Sequence, residues 1–292
     1  MTCLLCGSEN QHPFALVESF GYPLSYVQCD RCGLVFQSEE GSQAADPDFY
    51  VATYRKIYQS SEEPTAKDLW VQNRRAQHLI SVLRSKGVVD VKRMLDIGAS
   101  AGVLLGAFHD AYGCEVTGVE PGDAYRTFAA DQGIEMFASL PELIGQGPER
   151  FDLVSLSHVL EHLPNPVETL RSIREDLLTP DGTLLLEVPN FYAHDSYELA
   201  HLACYTPHTL REVARQAGFE VVRLARHGVP RSALLNLYLT LMARPATETV
   251  QRSVRPEKNV KLKRRIGFLY RRVVQKLFPH RAWLPLPNGE AV

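Results

Sequence analysis

The chain has 292 residues, 45% of them hydrophobic and 22% charged, which is typical of a globular protein with one large domain and a smaller module. No segment approaches the roughly 18 to 20 uninterrupted apolar residues of a membrane-spanning helix, and the first residues lack the pattern of a secretion signal. The sequence therefore predicts a cytoplasmic protein. Its formal net charge is -3, but residues 244–282 carry twelve Lys or Arg against two Glu, so the charge is unevenly distributed.

Two copies of the pattern Cys-x-x-Cys-Gly lie near the start of the chain, at Cys3 and Cys6 and at Cys29 and Cys32. Zinc is held by four ligands in a tetrahedron, and one such pair in a tight turn supplies two thiolates. A four-cysteine site leaves no position for water, so residues 1–45 are predicted to form a zinc ribbon with a structural Zn²⁺ ion. A redox dithiol is the alternative.

The ribbon is not expected to bind nucleic acid. Residues 1–45 contain one basic residue, Arg31, against five acidic ones. Contacts to phosphate supply most of the affinity for nucleic acids, and they need Lys or Arg.

Residues 46–92 are predicted to be a tyrosine-rich linker followed by a covering helix. Apolar residues recur at close to helical spacing over residues 66–86, and Gly87 is the expected stop. In the linker, Tyr54 is predicted to close over a bound ligand as part of a lid, with simple aromatic packing as the alternative.

From residue 93 onward, short apolar strands alternate with amphipathic helices. Strands are predicted at 93–97, 115–119, 134–137, 152–156, 183–188 and 219–225, and helices at 103–111, 123–132, 166–177 and 207–217. An apolar run at 234–243 is interpreted mainly as a seventh, closing strand. This alternation predicts right-handed crossovers and a doubly wound α/β domain over residues 93–243, with both faces of the sheet covered.

The first of these strands ends in a glycine turn, Asp96-Ile97-Gly98-Ala99-Ser100-Ala101-Gly102, where doubly wound sheets bind nucleotides. The second strand ends at Glu120, 24 positions after Asp96. A carboxylate at that tip can accept both ribose hydroxyls of an adenosine. The turn has neither Gly-x-Gly-x-x-Gly nor the Lys of a phosphate-binding loop, which favours a ligand without phosphates. A dinucleotide enzyme, or glycines that serve only the turns, is the alternative.

On these residues the chain resembles class I S-adenosylmethionine-dependent methyltransferases, over most of residues 93–243. Residues 151–163 and 178–189 look like the fourth strand with its loop and the fifth strand of that family. Ser100 stands where the family has the middle glycine of its first motif. The resemblance implies a Rossmann-like methyltransferase sheet and five residues that contact S-adenosylmethionine: Asp96, Gly98, Ser100, Gly102 and Glu120.

Methyl transfer needs an aligned acceptor and a group that takes its proton, because the sulfonium is already an activated electrophile. Two histidines are predicted as candidates for this base, since imidazole suits proton removal near neutral pH. His158 follows the fourth strand, and His201 lies in the loop after the fifth. His162 is expected mainly to cap or pack its loop.

The ribbon, the tyrosine-rich linker and the segment from His201 to Pro207 are similar to a subgroup that includes deoxysugar C-methyltransferases. That subgroup has Glu-His where this chain has Ala200-His201. The resemblance implies a small-molecule acceptor, such as a sugar or an intermediate of glycan or secondary-metabolite biosynthesis. A non-catalytic binding protein and an RNA methyltransferase are the alternatives, although the Asn-Pro-Pro-Tyr-like motif expected for methylating base amines is absent.

The basic tail, residues 244–292, is predicted to contain an amphipathic helix from residue 258. Its apolar stripe consists of Leu262, Ile266, Leu269, Val273 and Leu277, with Lys and Arg around it. Such a helix can lie on the anionic inner face of a membrane or dock on an acidic partner. The alternative is that it folds back on the acidic body of its own chain.

Overall fold

The structure, a computed structural model, describes residues 2–38, 63–247 and 253–287. Its strands are β1 (Gln11–Ser19), β2 (Tyr22–Cys29), β3 (Val35–Gln37), β4 (Arg93–Ile97), β5 (Glu115–Val119), β6 (Glu135–Phe137), β7 (Phe151–Ser157), β8 (Leu178–Pro189), β9 (Ala203–Cys204), β10 (Phe219–His227) and β11 (Tyr238–Pro245). Its α-helices are α1 (Ala66–Arg84), α2 (Val103–Tyr112), α3 (Asp123–Asp131), α4 (Leu140–Gly145), α5 (Pro166–Ser172), α6 (Pro207–Gln216), α7 (Val260–Leu277) and α8 (Pro279–Ala282).

Seven strands form the central sheet in the order β10-β11-β8-β7-β4-β5-β6. β11 is antiparallel to both of its neighbours, and the pairs from β8 to β6 are parallel. The prediction of a doubly wound, seven-stranded α/β sheet is confirmed. The chain runs from β4 outward through β5 to β6 and then returns to place β7 on the other side of β4. Such a switch point opens a crevice at the carboxyl ends of the strands.

Both faces of the sheet are buried. Leu79 and Leu83 of α1 pack with Phe108 of α2 and Met94 of β4 in one apolar cluster. Leu170 of α5 and Leu210 and Val213 of α6 belong to a second cluster, together with Leu184 and Leu186 of β8. The alternating side chains of buried strands supply the two clusters, as expected when helices cover both faces of a sheet.

Three element boundaries differ from the predictions by four residues or more, and one of them is β11, which begins at Tyr238 where residue 234 was predicted. The helix predicted at 166–177 is α-helical only to Ser172 and continues as a π-helical turn, Ile173–Leu177. β8 begins at Leu178, five residues before the predicted strand, because Leu178 pairs with Phe151 ahead of a register shift. An irregularity of this kind re-aims a strand and leaves no signature in hydrophobic periodicity.

The amino-terminal module shares a sheet with a segment of the α/β domain. Its four strands are ordered β1-β2-β3-β9, and β9 comes from the loop that follows β8. Val35 pairs with Cys204, and the Gln37 side chain donates to the backbone carbonyl of Glu198 at 2.9 Å. The module therefore positions the loop that carries His201, since one sheet combines strands from residues 1–45 with a strand from residues 93–243.

The tail helix α7 packs on the body but leaves its apolar stripe uncovered. Val260 and Val274 are buried, whereas the five stripe residues predicted from the sequence are 46–62% exposed. Arg271 donates to the carbonyl of Ala193 at 3.0 Å, and Arg264 donates to that of His194 at 3.1 Å. In the described part of the chain, no helix combines the length and apolarity needed to cross a bilayer.

Gly267 allows this docking. A Cβ at this position would lie 1.9 Å from the backbone carbonyl oxygen of Tyr192, which cannot yield like a flexible side chain. We expect Gly267→Ala to loosen α7, because an overpacked contact costs about 1–3 kcal/mol. Trypsin should then cleave the Lys- and Arg-rich helix faster.

The matched control is Gly106→Ala in α2, where nothing lies within 4 Å of the added Cβ. Alanine there should stabilise the helix by roughly 0.5–1 kcal/mol and leave cleavage of the tail unchanged. Equal cleavage rates for the two variants would contradict the docking described here.

Candidate active site

A cavity of about 930 Å³ lies at the carboxyl ends of β4, β5 and β7. Its wall includes four residues predicted from the first two strands, Asp96, Gly98, Ser100 and Glu120, and the predicted base His158. The cavity thus opens at the switch point of the sheet, where the strand order reverses.

The turn after β4 requires unusual backbone angles. Gly98 and Gly102 have φ of 77° and 72°, which glycine adopts at little cost, while Ser100 has φ of 49°. A Cβ on Gly98 would meet Val159 at 2.3 Å, so glycine also lets Val159 pack against the turn. Gly102 does not line the cavity; a Cβ there would meet Ile134 at 2.7 Å and Ala129 of α3 at 2.9 Å, which indicates a role in the close packing of the start of α2 beside α3.

Glu120 faces the glycine turn, as its position in the sequence predicts. One carboxylate oxygen accepts the backbone N–H of Ser100 at 2.9 Å, and the other accepts that of Gly122 at 2.8 Å. The bond from Ser100 joins the turn after β4 to the tip of β5, and the bond from Gly122 fixes the carboxylate within its own turn. The carboxylate of Glu120 is thereby held in one orientation at the cavity wall.

Asp96 lies deeper, at the end of β4, and is almost fully buried. The hydroxyl of Ser155 donates to its carboxylate at 2.5 Å. Burial raises the pKa of Asp96 to about 7, in spite of the opposing effect of this hydrogen bond. Asp96 therefore keeps its proton more readily than an exposed carboxyl group does.

Helix α1, predicted only to cover the sheet, supplies two side chains to the cavity wall. Gln72 donates to the hydroxyl of Ser100 at 3.2 Å, and Arg75 donates to Glu187 at 2.6 Å. Burial alone would raise the pKa of Glu187, but Arg75 and two neighbouring histidines hold it well below its ordinary value. The spacing of Gln72 and Arg75, three positions apart on one helix face, was the available sequence signal.

His158 lines the cavity in a constrained geometry. Its φ is 58°, the left-handed region that histidine rarely adopts. Nε2 accepts from Arg75 at 3.0 Å and lies 3.2 Å from Glu187, while Nδ1 lies 3.5 Å from Glu161. Burial and Arg75 lower the pKa of His158, but the two carboxylates outweigh them and raise it.

His201, the other predicted base, does not line the cavity. It is 5% exposed, its Nδ1 donates to the carbonyl of Ser196 at 3.1 Å, and burial lowers its pKa. His162 stands in front of it, with 4.9 Å between the ring centroids, and lines the cavity itself. In the sequence, His158 and His201 each follow a strand, and only the packing of the two loops distinguishes which of them borders the cavity.

The four cysteines of the two Cys-x-x-Cys pairs lie close to one another. The sulfur atoms of Cys3 and Cys32, and those of Cys6 and Cys29, are 3.5 Å apart, and all four lie within 4.8 Å. All four are free thiols in the structure. The group has the donor set of a four-thiolate zinc site. Tyr54, the predicted lid residue, lies outside the described residues.

Curated relatives match part of the chain. A ubiquinone biosynthesis O-methyltransferase of Aeromonas salmonicida is 34% identical over 106 residues, which cover 34% of this chain and 44% of the relative. A protein of the same name from Actinobacillus pleuropneumoniae is 31% identical over 110 residues, covering 34% of this chain and 46% of the relative. The chain thus spans less than half the length of these relatives.

Solved structures of similar topology have low sequence identity. An S-adenosylmethionine-dependent methyltransferase from Clostridium acetobutylicum gives a TM-score of 0.48 at 8% identity, over 60% of this chain and 92% of that chain. Magnesium protoporphyrin IX methyltransferase from Synechocystis gives 0.48 at 15% identity, over 68% of this chain and 94% of that chain.

One family model matches the chain from within α1 to within β10. Residues 70–224 match the family described as a methyltransferase domain, and they make up more than half of the chain. This range contains the glycine turn, Glu120 and His158. The protein therefore belongs to the methyltransferase domain family.

Proposed function

We propose that this protein transfers a methyl group from S-adenosylmethionine to a small-molecule acceptor. The observation that carries the proposal is the Glu120 carboxylate, held against the glycine turn at the wall of a cavity of about 930 Å³. A carboxylate at this strand tip is suited to the two ribose hydroxyls of an adenosine. The volume falls in the range typical of small-molecule sites and can accept cofactor and acceptor together.

In this proposal the cofactor lies along the turn between Gly98 and Ser100, with the ribose on Glu120. Asp96 borders the same cavity at the end of β4, and Gly102 acts indirectly by letting α2 pack closely. Gln72 holds the hydroxyl of Ser100. Tyr54 stays a prediction as a lid over the cofactor.

Glu120→Gln should weaken S-adenosylmethionine binding about tenfold or more, which corresponds to at least ~1.4 kcal/mol. The reason is that a neutral amide replaces two charge-assisted acceptor positions while the side-chain volume stays the same. Calorimetric titration measures the dissociation constant directly.

Glu115→Gln is the matched control, because Glu115 is an exposed carboxylate at the opposite end of β5. It should bind the cofactor like the wild type. An unchanged dissociation constant in Glu120→Gln, or a wild-type protein that ignores S-adenosylmethionine, would rule out the proposed site.

We further propose that His158 receives the proton of the acceptor as the methyl–sulfur bond breaks and the acceptor–methyl bond forms. His158 is the predicted base that borders the cavity. Its Nε2 can accept from Arg75 when neutral and donate to Glu187 when protonated, so the ring has a partner in either state. His201 lacks access to the cavity and is not proposed as the base.

Replacing His158 with Gln should lower kcat by roughly 10²-fold or more, the usual contribution of a general base, and leave the affinity for S-adenosylmethionine within about threefold. Single-turnover methylation assays and calorimetry separate the two quantities. The exposed His280 provides a control, and His280→Gln should change neither. A His158→Gln enzyme with wild-type kcat would exclude His158 as the base.

The acceptor class is proposed as a hydroxyl-bearing small molecule, with a sugar or a glycan or secondary-metabolite intermediate as the specific candidate. The relatives are named as O-methyltransferases of ubiquinone biosynthesis, which supports methylation of a small molecule on oxygen. Mass spectrometry of metabolite extracts for a gain of one methyl group identifies the acceptor. Cofactor binding without any methylated product would instead favour a non-catalytic binding protein.

We propose that the four cysteines bind one structural zinc ion. The donor set matches a closed tetrahedral site, and the strand pairing of β3 with β9 means that the ion would also stabilise the loop beside the cavity. Metal analysis of Cys29→Ser tests this assignment, since the variant should hold one zinc ion fewer per chain than the wild type.

We propose an anionic membrane surface as the partner of α7. The stripe from Leu262 to Leu277 is exposed, while residues 258–281 contain nine Lys or Arg and no Asp or Glu. An apolar stripe flanked by positive charge alone complements a bilayer of anionic lipids, in which the stripe enters the headgroup boundary and the cations face phosphate.

Ile266→Glu should reduce sedimentation with vesicles containing phosphatidylserine, because the charge would enter the apolar boundary. Binding to pure phosphatidylcholine vesicles should be weak for every variant. The control is Leu16→Glu, which changes an apolar side chain that is 78% exposed on β1 and does not belong to the stripe of α7. Equal vesicle binding by Ile266→Glu and wild type would contradict the proposal, as would a dimer that depends on Ile266 without any vesicle binding.

A further inference from the structure

A second group of metal-ligating side chains lies behind the cavity wall, separate from the cysteines. Glu161, His162 and His201 bring one ligand atom each to within 4.8 Å of one another. Their exposed fractions are 1%, 9% and 5%. Glu161 and His162 come from the short 3₁₀ turn after β7. His201 comes from the loop that pairing of β3 with β9 holds in place.

The two imidazoles are oriented for metal ligation. Nδ1 of His162 lies 2.8 Å from the carbonyl of Ala200, and Nδ1 of His201 lies 3.1 Å from that of Ser196. A carbonyl oxygen only accepts hydrogen bonds, so each Nδ1 carries the proton and each Nε2 carries a lone pair. This arrangement is how proteins fix the tautomer of a metal-binding histidine.

Glu161 supplies the negative charge that the arrangement needs. Both of its carboxylate oxygens are buried without a hydrogen-bond partner in the structure. Nδ1 of His158 lies 3.5 Å from one of these oxygens, which is too long for a normal hydrogen bond. An unsatisfied buried carboxylate is costly, and a bound cation would satisfy it.

We infer that Glu161, His162 and His201 bind one divalent transition-metal ion, with Zn²⁺ as the representative probe. Two imidazoles and a carboxylate are a donor set found in zinc sites with an open coordination position. Bonds of about 2.1 Å put ligand atoms no more than about 4.2 Å apart, so the cluster must close by less than about 1 Å. Glu198 stands 3.6 Å from Nε2 of His201 and offers a further oxygen.

The ion would border the cavity, because His162 belongs to both the cluster and the cavity wall. An open coordination position there would take an oxygen of the acceptor and make its proton easier to remove. This role rests on the proposed methyl transfer. Binding of the metal does not rest on it and can be measured separately.

The test is the zinc content of the purified full-length protein after equilibration with Zn²⁺ and removal of loosely bound metal. We expect two ions per chain in the wild type. His201→Ala and the isosteric Glu161→Gln should each retain one, and His280→Ala should retain both. Retention of the cysteine-bound ion also shows that the cluster variants are folded.

Cobalt substitution distinguishes the two sites. Cys29→Ser should lose the thiolate-to-cobalt charge-transfer band. His201→Ala should keep that band and lose only the cobalt ion that has no thiolate ligand. A wild-type content of one ion that Cys29→Ser abolishes would overturn the inference, and so would two ions in Glu161→Gln and His201→Ala. Titration with S-adenosylmethionine in parallel shows whether the methyltransferase proposal fails independently.

Discussion

The carboxylate of Glu120 accepts one backbone N–H from the β4 turn and one from the start of α3, and this pair of bonds shapes the cavity. The bond to the β4 turn holds the tips of two parallel strands together at the switch point of the sheet. The bond to Gly122 fixes the carboxylate beside the place where an adenosine ribose would lie. The proposed cofactor site depends on this contact more than on any single glycine.

A buried charge network ties the rest of the cavity to that edge. Glu187 of β8 meets Arg75 of α1 at 2.6 Å and His158 at 3.2 Å, so a covering helix, a central strand and a loop share one carboxylate. A buried charge is tolerated only when it is paired, and here the carboxylate and its two partners come from three different elements. The same loop continues into Glu161 and His162, which places the inferred metal cluster next to the proposed base.

Local patterns predicted much of this architecture. β4 and β5 have the bounds expected from their apolar runs, and Glu120 faces the turn because the carboxyl ends of adjacent parallel strands meet at one edge. Long-range packing was beyond the sequence pattern. Pairing of β3 with β9 joins residues far apart in the chain, and it determines that His201 lies behind His162. The apolar stripe of α7 was predicted correctly. The sequence pattern did not indicate that Arg264 and Arg271, on the opposite face of the helix, bind backbone carbonyls of the α/β domain.

A crystal structure of the protein with S-adenosylhomocysteine would test most directly whether Glu120 holds the ribose of the cofactor. We expect both ribose hydroxyls to bind the Glu120 carboxylate, with the amino-acid end of the ligand beside Gly98 and its sulfur directed toward His158. A ligand bound elsewhere, or one whose ribose makes no contact with Glu120, would contradict the proposed site and the mechanism built on it.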